Sequence, residues 1–347
     1  VLVCGAVWAD VGQGFKNRVD ELLKKMGAEE KEVVARAQEK LFELLTDEER
    51  VKYVKERVEK MEKEGAAEAA RRVLAFQESQ KKGFIVYVRM GATGSGIGPA
   101  PKEPPAHLLL KIVNLDGTGS RVVSSKRAVK FSDCVVSPDG RKVLFYTFGH
   151  MWLLDLLTGQ EKEFKVEGVK GAVSDFVFSP DGKRIAFVHG GRVCVADADG
   201  GNVKKVTEKG EYMRPVFSPD GKRLAYVEHV KGKGWNIWLA KADGTGAKKI
   251  ASFDETTGQV LRSGLGYIGE KRLVFLLRTS TLPTQAEFVA MDESGRRVEE
   301  PKLKRIGVIQ GWGPMGFNVS SDFKWLVWWG GGPYWFTVMK ADLTTGR

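Results

Sequence analysis

"FSPDG" stands at residues 178–182 and again at 217–221, and "VSPDG" at 136–140 differs from it by one residue. The chemistry of the motif is that of a tight turn. Pro fixes φ at the second position, Asp closes back on its own backbone, and Gly supplies the positive φ that β-branched residues do not tolerate. The corner residues are Ser137, Pro138, Asp139 and Gly140; Ser179, Pro180, Asp181 and Gly182; and Ser218, Pro219, Asp220 and Gly221.

Aligned on this turn, the chain yields three long copies: "VVSPDGRKVLFYTFGHMWLLDLLTGQEKEF" (135–164), "FVFSPDGKRIAFVHGGRVCVADADGGNVKKV" (176–206) and "PVFSPDGKRLAYVEHVKGKGWNIWLAKADGTGAKKI" (215–250). Each reads as a short strand, the corner, an apolar strand, a loose turn, a third strand, an Asp-Gly or Thr-Gly turn and a basic outer strand. The serines recur after 42 and 39 residues. A four-stranded unit of about forty residues marks a propeller blade. Weaker copies lie at 266–300 and 318–346, and residues 83–125 supply three strands with the inner one missing, which makes six blades.

Residues 10–82 have a different texture. Phe15, Val19, Leu22, Leu23 and Met26 follow the 3.6-residue period, as do Val33, Val34, Ala37, Leu41, Leu44 and Leu45, then Val51, Val54, Val58 and Met61. A fourth helix is expected over Ala66–Gln80. Thr46 with Glu49 reads as a capping box, and Gly27 and Gly65 as helix stops. A small bundle packed on the β region is expected. The resulting division is an apolar segment at 1–9, a helical domain at 10–82 and a propeller at 83–347.

The opening segment, "VLVCGAVWA", reads either as the tail of a secretory leader or as an orphan apolar strand. As a strand it would add to an open sheet edge, in its own chain or in a neighbour, and the second case builds filaments. The candidate assembly contacts are therefore Val1, Leu2, Val3, Cys4, Val7 and Trp8, together with Trp328, Trp329 and Trp335 of the aromatic-rich last blade. Trp faces there could also stack on a sugar or peptide. Asn318-Val319-Ser320 matches a glycosylation sequon.

The net charge is +11, but the lysines are scattered rather than massed, and no nucleic-acid partner is expected. Scarce Asn and Gln beside plentiful Lys, Glu, Arg and Val point towards a thermophile. Cys4, Cys134 and Cys194 form no CxxC pair, and His107, His150, His189 and His229 do not occupy equivalent blade positions, so no metal or other cofactor is expected. The corner aspartates lack the further acidic residues that calcium needs. "GATGSGIG" (91–98) is a Gly/Pro loop without the strand and helix of a nucleophile elbow, and no catalytic residue is assigned.

"FSPDGKRIAFV…VADADGGNVKKVT" and "FSPDGKRLAYV…NIWLAKADGTGAKKI" resemble the WD40-like repeats of the TolB-type six-bladed propellers. The resemblance covers residues 83–347 and not the helices. It implies an exported, non-catalytic binding or scaffolding role, in the periplasm or outside the cell. The expected partners are proteins: copies of the chain itself, or an envelope protein. A propeller hydrolase is the rival expectation. The resemblance carries over no catalytic residue, because the shared motif is a turn.

Overall fold

The computed structural model describes residues 2–90, 108–124, 134–147, 150–254, 264–278, 286–300, 303, 314–319, 325–332 and 335–342. Four helices open the chain: α1 (Leu2–Lys25), α2 (Lys31–Leu44), α3 (Glu48–Glu59) and α4 (Glu64–Lys82). Their stripes are buried as the periodicity requires. Val19, Leu22, Leu23 and Met26 meet Leu41, Val54 and Val58, and α4 presents Ala66, Ala67, Ala70, Val73 and Phe76. The alanines let α4 approach its neighbours closely.

Three expectations need correction here. Leu2–Ala9 are not a strand but the first turns of α1, which runs on without a break to Lys25. Ala, Leu and Trp tolerate a helix, and α1 continues through Gly12 and Gly14, each at the modest cost of a helical glycine, into the amphipathic stripe that follows. The cap of α3 is Asp47 rather than Thr46: its Oδ1 accepts from the Arg50 amide at 2.9 Å, and a carboxylate at a helix N-terminus also meets the positive end of the dipole. Gly65 does not end a helix. It lies in the first turn of α4, where its missing side chain costs least.

Six antiparallel sheets follow. They are β1 (Phe84–Met90), β2 (Leu108–Asn114) and β3 (Arg121–Val122); β4 (Cys134–Val136), β5 (Lys142–Thr147), β6 (His150–Asp155) and β7 (Glu161–Phe164); β8 (Val173–Phe178), β9 (Arg184–His189), β10 (Arg192–Asp197) and β11 (Lys204–Lys205); β12 (Glu211–Phe217), β13 (Arg223–Val230), β14 (Gly234–Lys241) and β15 (Lys248–Phe253); β16 (Leu265–Ile268), β17 (Arg272–Arg278), β18 (Ala286–Asp292) and β19 (Arg297–Val298); and β20 (Pro314–Val319), β21 (Trp325–Gly332) and β22 (Trp335–Asp342). Within every sheet the strands pair in chain order. Among the described residues the four middle sheets have four strands and the first and last have three. This is the pattern of a propeller of four-stranded blades after a small helical domain.

The chain divides into two compact units, Val1–Val136 with Gly140–Glu163, and Ser137–Asp139 with Phe164–Arg347. The first holds one continuous core. Helical residues Leu41, Ala67, Val73 and Phe76 share it with Leu110 and Ile112 of β2, Val143 and Phe145 of β5, and Leu154, Leu156 and Leu157 at the end of β6.

In the second unit, successive blades pack face to face. Ala186, Val188, Val193 and Val195 meet Phe217, Leu224 and Tyr226. Ala225, Val227, Ile237 and Leu239 meet Tyr267, Leu273, Phe275 and Val289. Val274, Leu276 and Ala290 meet Phe317 and Leu326. Both faces of a middle strand are thus covered, which explains the unbroken apolar runs: Ile185, Ala186 and Phe187 of β9 are fully buried. Burial pushes the Tyr226 hydroxyl pKa up to about 12.

Candidate interaction surface

The corners are built alike. In the blade of β8–β11, the Ser179 hydroxyl donates to Asp181 Oδ1 at 2.5 Å and accepts from the Arg184 amide at 2.9 Å. The Lys183 amide donates to the same Asp181 oxygen at 3.0 Å. The next blade repeats this with Ser218, Asp220, Lys222 and Arg223 at 2.5, 3.0 and 3.1 Å. Gly182 and Gly221 close each turn at φ 69 and 66. Ser137 donates to Asp139 at 2.5 Å in the remaining copy. The serine hydroxyl and the lysine amide hold the Asp181 and Asp220 carboxyls below the usual aspartate range. The serine hydroxyl and one aspartate oxygen of each of these two corners are used inside the turn, so the corner is built as a joint.

Corners also touch one another. A Cβ on Gly182 would lie 3.7 Å from Pro138 Cδ, and one on Gly221 the same distance from Pro180 Cδ. The residues that link them are Arg184 and Arg223. Arg184 Nη2 donates to the Gly221 carbonyl at 2.6 Å, and its guanidinium lies over the Phe217 ring at 5.3 Å. Arg223 reaches the Glu270 carbonyl of the following blade at 3.4 Å and pairs with Glu293. Turn chemistry alone does not assign this role; its visible signal is the "GKR" at 182–184 and 221–223. A second ring of contacts involves the glycines of the later turns. Those at Gly200, Gly244 and Gly295 have φ 97, 89 and 93, and each presses on the preceding blade at Lys165, Val206 or Ile250.

The blade of β4–β7 departs from this pattern. Where its neighbours have Ala198-Asp199 and Ala242-Asp243, it carries Leu156 and Leu157, which are 4% and 1% exposed. The helical bundle sits on this turn. Arg72 donates to the Thr158 carbonyl at 2.9 Å, Gln38 to the Ala69 and Leu157 carbonyls at 2.9 and 3.4 Å, and Gln80 to the Gly140 carbonyl at 3.2 Å. Arg141 bridges Asp155 at 2.8 Å and Glu39 of α2 at 2.5 Å. Beside the β2–β3 turn, Lys82 of α4 pairs with Asp116 at 2.9 Å. The Thr118 hydroxyl and Lys82 together keep the Asp116 carboxyl well below the usual range.

The inner strands β8 and β12 are bulged at matching places, each with a non-glycine residue at positive φ: Asp175 at 51 and Arg214 at 54. The two side chains pair at 3.4 Å. Such strain is held only where packing over-determines it, and here the two bulges brace each other.

Other candidate residues fall elsewhere. Val1, His107, Ser320 and the loop at 91–106 lie outside the described residues. Trp328 and Trp329 sit in β21 opposite Met339 and Val338, and Trp335 in β22 opposite Gly332. His189 lies opposite Val173 in the ladder and His229 opposite Glu211, one position out of step between the two blades, so they do not converge. Cys194 is buried, and burial pushes its thiol pKa up. Among the described residues no group of three His, Cys, Asp or Glu side chains is placed to hold a metal ion, and no helix is long and apolar enough to cross a membrane.

No family model matches the chain. No curated protein matches it either. Solved structures do. A putative TolB from Agrobacterium tumefaciens superposes with a TM-score of 0.54 at 17% identity, over 68% of this chain and 84% of that one. A chain from a nidogen/laminin complex gives 0.50 at 15% identity, over 69% and 88%. An oligogalacturonate lyase in complex with manganese gives 0.48 at 14%, over 69% of each chain, too distant to bear on chemistry. At these identities the likeness concerns the fold alone, and that fold is a TolB-like propeller.

Proposed function

We propose that this protein is a non-catalytic, exported scaffold that works by protein–protein contact, with copies of the same chain or an envelope protein as its partner. One observation supports the reading above the others. The helical bundle of the chain already docks on blade turns, with Arg72, Gln38 and Gln80 donating to turn carbonyls around the buried Leu156 and Leu157. The next two blades carry an exposed aspartate at the Leu157 position, Asp199 and Asp243, beside Ala198 and Ala242. A blade end of this kind can therefore receive a helical surface. Strand addition by residues 1–9 is no part of the proposal, because Leu2–Ala9 are helical.

Sedimentation velocity of the full chain over a wide concentration range tests self-association. Cross-linking in the native source, with fractionation of the envelope, tests the second partner and export. Turnover of esters, lactones or pectic sugars by the purified chain, abolished or not by a chelator, would overturn the non-catalytic reading.

A further inference from the structure

A groove of about 300 Å³ opens on the blade of β12–β15, at the end remote from the corner. It is lined by Val230 and Gly234 of the β13–β14 hairpin, Lys233 of its turn, Asn236, and Lys249 and Ser252 of the outer strand, with Asp254 at one side. Its volume falls at the lower end of the range of small-molecule sites. Three features mark it as built rather than incidental.

First, its polar floor is fixed. Tyr212, Glu228, Asn236 and Ser252 stand in register across all four strands. Ser252 Oγ donates to Asn236 Oδ1 at 2.8 Å, Asn236 Nδ2 donates to Glu228 Oε2 at 2.9 Å, and Trp238 Nε1 donates to the same oxygen at 2.8 Å. Asn236 is thereby held in one orientation.

Second, the strand is deformed to bring in a cation. Residues 249 and 252 of a regular strand point to opposite faces. In β15 the register slips between Ile237 and Trp238, so Asn236 faces Ser252 while Trp238 faces Lys249. Asn236 and Trp238 share a face, so the bulge puts Lys249 on the same face as Ser252. Bulges of this kind re-aim side chains beside functional sites.

Third, Lys233 approaches from a different element. It is in a hairpin turn, closed by its amide donating to the Val230 carbonyl at 2.8 Å. A bulge and a lysine on an outer strand also protect an open edge from pairing with another sheet. That role accounts for Lys249 but not for Lys233. Neither lysine makes an ion pair among the described residues.

We propose that this groove binds a carboxylate, held between the Lys233 and Lys249 ammonium groups, which act as its donors because the Ser252 hydroxyl already donates to Asn236 Oδ1. Asp254 at the rim and Glu228 in the floor offset the two lysines, so the groove has no excess positive charge and suits a monoanion better than a phosphate dianion. The carboxylate can belong to an acidic peptide or to a sugar acid. The site does not depend on the scaffold reading, because a small acid can bind whether or not the chain associates with a protein.

The test is calorimetric titration of the full chain with an N-acetylated tetraglutamate amide, with sodium glucuronate and with inorganic phosphate. Each ligand is carried to about 10 mM, enough to reveal a Kd near 1 mM. Binding of either carboxylate, weakened at least about tenfold in Lys233→Gln/Lys249→Gln and unchanged in Lys204→Gln/Lys205→Gln on the neighbouring outer strand, is the expected result. The tighter of the two identifies the source. Equal loss in both double variants would reduce the effect to general surface charge and overturn the site. So would tighter binding of phosphate than of either carboxylate, or no binding by any of the three.

Discussion

Arg184 Nη2 donates to the main-chain carbonyl of Gly221 at 2.6 Å, so the second strand of one blade holds the corner of the next. Replacing Arg184 by Met removes a charged hydrogen bond and a cation–π contact, and leaves the carbonyl without this donor. The expected cost is about 1–3 kcal/mol in urea unfolding. Arg296→Gln breaks an ion pair whose arginine is 79% exposed, and should cost about 0–1 kcal/mol. Equal costs would show that the arginine-to-corner bond is incidental.

Leu157 ties the helices to the blade of β4–β7. Leu157→Ala should destabilise the first compact unit by about 2–5 kcal/mol. Hydrogen exchange followed by mass spectrometry should show faster exchange in α2, α4, β5 and β6 together. Faster exchange confined to the helices would mean that they form a separate cooperative unit.

The turn glycines divide into two kinds. Gly295 has φ 93, and a Cβ there would lie 1.9 Å from the Ile250 carbonyl oxygen. Gly246 has φ 65 with nothing within 4 Å. Gly246→Ala should cost only the left-handed conformation, about 1–2 kcal/mol. Gly295→Ala must also push two blades apart and should cost clearly more. Thermal melts of the two variants give the comparison directly.

The corner carboxylates predict a pH dependence. The Asp181 and Asp220 pKa values lie lower in the folded state than the ordinary value of about 3.9. Their contribution is therefore complete above that value and is lost as the pH falls through the lower, folded pKa. Melting temperature should drop below about pH 4, and the drop should be shallower in Ser179→Ala/Ser218→Ala, where the hydroxyl donor to each carboxylate is gone. An identical pH profile in that variant would contradict the assigned cause.

The blades were legible because the corner is a local device: Pro, Asp and Gly act within five residues, and the same geometric task recurs in every blade. The helical stripes were legible for a similar reason, since Val19, Leu22 and Met26 mark one face by spacing alone. The apolar nonamer at 1–9 misled because it carries no period that separates strand from helix, and Leu2–Ala9 continue the helix that follows. The bundle's seat on Leu156 and Leu157 was visible only as a departure from the repeat, meaningless until α2 and α4 are placed beside it. Lys249 was beyond reach, because a register slip in β15 reverses the face that residue parity assigns.

The account rests most heavily on the corners being joints rather than binding sites. Urea unfolding of Ser179→Ala/Ser218→Ala, paired with sedimentation velocity on the same samples, tests this most directly. A loss of about 1–3 kcal/mol at each corner with unchanged association is the predicted result. Unaltered stability together with lost association would contradict it.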